Sequence, residues 1–195
     1  MRVIQSFLIV SIIGLAGATT ALGETFEFNF VLEGLQEDPP NNSNASGAAS
    51  LFMYDTDTQT FDLDMFILGI SLDELFNVGP NLTPVHIHMA PPGASGSIVV
   101  DLGLNDSFFE DGAGIRLQLS NFLLGGVQGG INSDPADNEV ALFAGNLYIN
   151  VHTDSFPDGH IRGQIVPEPA TLVLIAIGGT LLIGRPRRRS ARRVA

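Results

Sequence analysis

Apolar residues in the middle of the chain alternate with polar ones or form short runs between turn clusters, and no segment there sustains a helical period. Residues 24–31 set Phe26, Phe28 and Phe30 against polar neighbours, which predicts a strand with an aromatic inner face. Residues 48–54 and 60–68 predict two strands joined by the polar turn Asp55-Thr56-Asp57-Thr58-Gln59. A Ca²⁺ loop at Asp55 and Asp57 would lack the Gly and terminal Glu of an EF-hand, so both read as turn residues. Further strands are predicted at residues 85–89, 97–102, 142–152 and 159–166, with loops at 36–47 and 90–96 and a short helical turn at 71–76. Residues 108–128 are mixed: 115–119 alternate, whereas Gly125, Gly126, Gly129 and Gly130 predict a mobile surface segment. Seven to nine short strands with frequent turns predict an all-β domain, a Greek-key β-sandwich over residues 24–166, with no second domain and no internal repeat.

The two ends break this pattern. Met1-Arg2, an apolar run and Ala21-Leu22-Gly23 have the three regions of a secretory signal peptide, here residues 1–23. The alternative, an uncleaved anchor, needs a longer span than this run offers. At the other end Pro167-Glu168-Pro169 precedes the apolar or small stretch 170–184, which is followed at once by Arg185, Arg187, Arg188, Arg189, Arg192 and Arg193. As a helix that stretch would reach about 22 Å, short of the roughly 30 Å of a bilayer's hydrocarbon core, so its membrane residence is expected to be transient. The arginines are expected to remain cytoplasmic and everything before Pro167 to lie outside. The order of Pro-Glu-Pro, short span and arginine cluster resembles the PEP-CTERM sorting signal of exopolysaccharide-producing Gram-negative bacteria. That resemblance implies recognition of Pro167, Glu168 and Pro169 by an exosortase, removal of residues 167–195 as a sorting tail, and release to the cell surface, outer membrane or extracellular matrix.

Charge divides along the same boundaries. The net charge of −12 combines nine arginines, seven of them at the two ends, with 21 acids, 20 of which lie in residues 24–166. Only Arg116 and Arg162 oppose those 20, leaving the middle at about −18, which repels nucleic acid and excludes a nucleic-acid-binding role. No cysteine is present, so disulfides, Cys-ligated zinc, iron–sulfur clusters and thiol nucleophiles are excluded, and any metal must use His and carboxylates. No Ser elbow or phosphate-cradling Gly loop occurs.

Histidine therefore carries the candidate chemistry. In His86-Ile87-His88 the strand period of two sets both imidazoles on one face. In residues 147–152 it sets Tyr148, Asn150 and His152 opposite Leu147, Ile149 and Val151. His86, His88 and His152 are candidate ligands for one Cu or Zn ion, with His160 as a candidate fourth. The competing reading has these residues bracing the outside of a sheet through bonds to loops, Asn150 or Asp154. Arg162, almost alone in an acidic domain, is expected to be structural and to pair with a carboxylate.

His86-Ile87-His88 with the Pro91-Pro92-Gly93 loop, the segment 145–153 and Gly159-His160-Ile161-Arg162-Gly163-Gln164-Ile165 resemble the CHRD (chordin-type) domain, as do Glu37-Asp38-Pro39-Pro40 and Ser46-Gly47-Ala48-Ala49. The resemblance spans about residues 26–166 and implies an immunoglobulin-like or Cu/Zn superoxide dismutase-like sandwich in a secreted protein. This chain departs from the pattern at His160, where the family has Glu. The leading expectation is a non-enzymatic secreted binding or matrix component associated with exopolysaccharide. Its rival is a copper or zinc protein, or a dismutase-like enzyme, built on the histidines.

Overall fold

The computed structural model describes residues 24–77, 82–103 and 107–167. The expected signal segment and its helix, Glu168, Pro169, the apolar stretch 170–184 and the terminal arginines lie outside the described residues. Twelve strands run in chain order: β1 (Thr25–Asn29), β2 (Val31–Glu33), β3 (Ser46–Asp55), β4 (Thr60–Leu68), β5 (Val85–Met89), β6 (Ser97–Asp101), β7 (Phe108–Asp111), β8 (Gly114–Leu123), β9 (Gly126–Gln128), β10 (Ile131–Ser133), β11 (Leu147–Thr153) and β12 (Phe156–Pro167). One helix, α1 (Pro135–Phe143), precedes β11. The fold is all-β in character, and its strand pairs are antiparallel. Among the described residues no helix is long and apolar enough to cross a membrane.

The β3–β4 hairpin shows how the alternation becomes a core. Phe52 and Tyr54 on β3, with Phe61, Leu63, Met65 and Ile67 on β4, are buried, while Asp62 and Asp64 face outward. Phe52 stacks on Phe61 with ring centroids 4.9 Å apart, a contact worth about 1 kcal/mol beyond its buried area. The intervening turn is closed by Asp55, whose Oδ1 accepts the N–H groups of Asp57 and Thr58, an Asx turn.

Three expectations need correction. The expected first strand is broken at Phe30 into β1 and β2, and β2 bridges β3 and β12. Residues 108–128 are mainly strand, β7, β8 and β9 joined by short turns: β8 pairs with both β4 and β7, and its alternating residues bury Ile115, Leu117 and Leu119. The expected strand over 142–152 begins only at Leu147, since residues before it form α1. Asp134 caps that helix by accepting the Ala136 N–H at 2.9 Å, and Pro135 opens it with a ring-fixed φ.

The main sheet runs β6-β5-β11-β12-β1-β3-β4-β8-β7. This order sets β11 between β5 and β12, in register such that Asn150 faces His86 and Tyr148 faces His88. Leu147, Ile149 and Val151 join the same core cluster as Val85, Ile87, Ile161 and Ile165. All seven residues of β11 are nevertheless buried, so the polar face carrying Tyr148, Asn150 and His152 is covered as well. That cover positions the candidate site.

Candidate metal centre

The cover consists of three segments that meet the polar face of β5, β11 and β12. The loop between β5 and β6 contributes the Gly96 carbonyl, which takes the Nδ1 proton of His88 at 3.0 Å, and the Gly96 N–H, which donates to the Tyr148 hydroxyl at 3.1 Å. The start of β12, just past its turn from β11, contributes the Pro157 carbonyl, which takes the Nδ1 proton of His152 at 2.9 Å. The segment between β2 and β3 contributes Glu37, whose Oε2 accepts the Asn150 side-chain N–H at 3.4 Å.

His86, His88 and His152 are 0%, 8% and 4% exposed, and one ring nitrogen from each lies within 4.8 Å of the others. Because carbonyls hold Nδ1 of His88 and of His152 as donors, the Nε2 lone pair of each is left free, and neither Nε2 has a hydrogen-bond partner. His86 is barer still: neither ring nitrogen makes a well-formed hydrogen bond, the Thr83 backbone exerting only a minor pull on the ring, and its Nε2 stands 3.8 Å from Asp101 Oδ1, too far for a hydrogen bond. Asp101 is held instead by the hydroxyl of Thr83 and by the N–H groups of Thr83 and Gly103.

Burial, reinforced by the neighbouring imidazoles, pushes His86 down to about 3. Burial also lowers His88, to about 4, against the pull of the Gly96 carbonyl, and lowers His152 against that of Pro157. The three rings are thus neutral at pH 7, the state in which imidazole ligates a metal. Neutral imidazoles with free lone pairs, two oriented by backbone carbonyls, suit Zn or Cu. Binding would draw the nitrogens in, since both metals hold ligands at about 2.0–2.1 Å.

His160 does not join them. Its Nε2 is 2.6 Å from Ser43 Oγ, its Nδ1 is 2.9 Å from Thr153 Oγ1, and its ring stacks on Phe156. With both nitrogens occupied by hydroxyls it is a structural cross-brace, and the expected fourth ligand is withdrawn. Arg162 is buried, 2% exposed, but lacks the carboxylate partner the charge balance suggested: among the described residues its hydrogen bonds go to the Ala94 and Pro91 carbonyls and to Gln164 Oε1. Its guanidinium lies 3.4 Å from the centroid of the Tyr148 ring.

Glu37, noted in the sequence only as part of a motif, is a buried carboxyl whose Oε1 has no partner. Burial raises it to about 7, opposed by the Arg162 charge and the Asn150 hydrogen bond. Gly159 makes room for it. An added Cβ there would stand 2.7 Å from both Glu37 Oε2 and Asn150 Nδ2, on a backbone with φ of +141°. Gly159→Ala is therefore expected to destabilise the protein by about 1–3 kcal/mol in urea unfolding; a loss below roughly 0.5 kcal/mol would show that the carboxyl gives way freely.

The family model described as the CHRD domain matches residues 28–165. No curated protein and no solved structure matches the chain.

Proposed function

The chain belongs to the CHRD domain family, and on that premise we propose that it is an exported, non-enzymatic protein of the cell surface or extracellular matrix that binds one Cu or Zn ion through His86, His88 and His152. The observation that carries this reading is the convergence of three buried imidazoles whose free ring nitrogens have no other partner. Buried polar atoms in native proteins are almost always paired, and orphans gathered at one point call for a ligand. The reading of the outer face as mere bracing accounts for His160, which is fully bonded, but leaves these three unexplained.

Export is supported by the signal-like residues 1–23. Surface sorting is supported by Pro167-Glu168-Pro169 with the apolar stretch and arginines that follow, for which the partner is an exosortase. The antiparallel strands and single core support a sandwich of immunoglobulin-like or superoxide dismutase-like type. An acidic surface of about −18 keeps such a domain soluble and does not steer anions such as superoxide inward, so binding, to metal and to a matrix component such as exopolysaccharide, is favoured over catalysis.

The test is stoichiometry. The full-length chain purified in detergent, loaded with Cu²⁺ or Zn²⁺ and desalted, is expected to retain one ion per chain by elemental analysis. Altering a residue that merely orients a ligand costs about 10–100-fold in affinity, so losing a ligand itself in His88→Ala should cost at least that. A wild-type protein without bound ion, or uptake unchanged in His88→Ala, refutes the proposal.

A further inference from the structure

Arg162 enters the metal centre by two routes. The first is electrostatic. β11 lies between β5 and β12, and Tyr148 on β11 takes His88 against its ring at 4.9 Å between centroids with planes 15° apart, and the Arg162 guanidinium at 3.4 Å. Guanidinium, phenol and imidazole form one stack inside the protein, where charge is weakly screened.

The second route is mechanical. Arg162 holds the loop between β5 and β6 by donating to the Ala94 carbonyl at 2.7 Å and the Pro91 carbonyl at 3.3 Å. Two residues beyond Ala94, the Gly96 carbonyl fixes the tautomer of His88.

The charges around the site decide what a permanent buried cation does there. Asp101 stands near His86, and Glu37 faces Asn150 and offsets Arg162, with its own carboxyl held toward the neutral form by burial. The candidate ligands are three neutral imidazoles, with no carboxylate among them. A bound ion therefore keeps its full charge, and a fixed guanidinium penalises a divalent ion more than a monovalent one.

Resting on the reading of the three histidines as a metal site, we propose that Arg162 is a positioning residue that orients His88 through the Gly96 loop and biases bound copper toward Cu(I) through the Tyr148 stack. In the couple concerned, Cu(II) takes one electron from an external mediator to become Cu(I), and no bond of the protein is made or broken.

The experiment compares Cu(I) and Cu(II) affinities of the full-length chain in detergent, by competition with chromophoric chelators, for wild type, Arg162→Gln and Arg162→Lys. Arg162→Gln is expected to lower the Cu(I):Cu(II) affinity ratio about tenfold, a fall of ~59 mV in the one-electron potential, while Arg162→Lys, which keeps the charge, stays near wild type. A purely structural arginine would weaken both oxidation states equally and leave the ratio alone, and that result, or a ratio in Arg162→Lys as low as in Arg162→Gln, overturns the proposal. If Arg162→Gln does not fold, Glu37→Gln serves above pH 8: removing a negative charge that faces Arg162 should raise the ratio severalfold, and an unchanged ratio overturns the proposal. A wild-type protein that binds neither ion refutes the metal site itself, an outcome distinct from a site that binds copper with an unaltered ratio.

Discussion

His86→Leu is expected to make the metal-free protein more stable while abolishing its response to metal. The imidazole is fully buried and neither nitrogen makes a well-formed hydrogen bond, the Thr83 backbone offering only a minor pull, so the wild-type protein carries desolvated polar atoms with little returned. Leaving a buried polar group unsatisfied costs about 1–3 kcal/mol, and an apolar side chain of similar size avoids that cost. Asp101 would lose only a contact at 3.8 Å and keep its bonds to Thr83 and Gly103. The gain should appear as a rise of about 2–6 °C in the melting temperature measured in chelator. Metal at 1,000 times its dissociation constant adds about 4.1 kcal/mol to a protein that binds it only when folded, so the wild type should overtake the variant once metal is supplied at that excess. A His86→Leu protein clearly less stable than wild type in chelator, or one still stabilised by metal, would mean that the ring serves the fold and not an ion.

Glu37 should impose a pH dependence of the opposite kind from that of the histidines. Burial holds its proton up to about pH 7, against 4.5 for an ordinary glutamate, so the folded chain binds this proton more tightly than the unfolded chain. The resulting stability is complete below pH 4.5 and is lost as pH rises through 7, an effect of about 3 kcal/mol at 1.36 kcal/mol per pKa unit. His86 and His88 are lowered, so their contribution is present above pH 6.5 and lost as pH falls toward 4 and 3. Because the two slopes oppose each other, the informative quantity is the difference between wild type and Glu37→Gln. Urea midpoints taken at intervals from pH 4 to 8 should show wild type falling relative to Glu37→Gln as pH rises from 4.5 to 7. Parallel curves would show that the carboxyl titrates normally.

Period-two reasoning made the strands and the parity of the histidines legible. His86 and His88 share a face because Ile87 is needed by the core, and His152 shares parity with Tyr148 and Asn150 because Leu147, Ile149 and Val151 are needed there too. What alternation does not encode is which strands become neighbours. That β5 lies against β11 depends on pairings between distant segments, and the groups that orient two of the rings are backbone carbonyls, of Gly96 in a loop and of Pro157 at the start of β12, which no side-chain pattern marks. His160 departs from the expected ligand role for a related reason: it lies one strand farther along the same sheet, where Ser43 and Thr153, neither marked by any motif, take both its nitrogens. Arg162 did not need the carboxylate expected of it because the face of Tyr148 and the carbonyls of a covering loop receive the guanidinium. Helix α1 escapes the same reasoning: its start rests on the Asp134 cap and Pro135, which alternation does not weigh, and the apolar residues Leu142 and Phe143 at its end merge with the pattern of β11.

The pairing of β5 with β11 also sets when the centre comes into being. His152 is more than sixty residues from His88 along the chain, and the carbonyl that orients it lies at the start of β12. A chain emerging from the ribosome, or threading a membrane unfolded, carries two histidines of one strand without the third, and non-local strand pairing of this kind is slow to form. On the proposed metal reading, the ion would be acquired where folding finishes, and the metal supply of that compartment, not of the compartment of synthesis, would decide which ion the site takes.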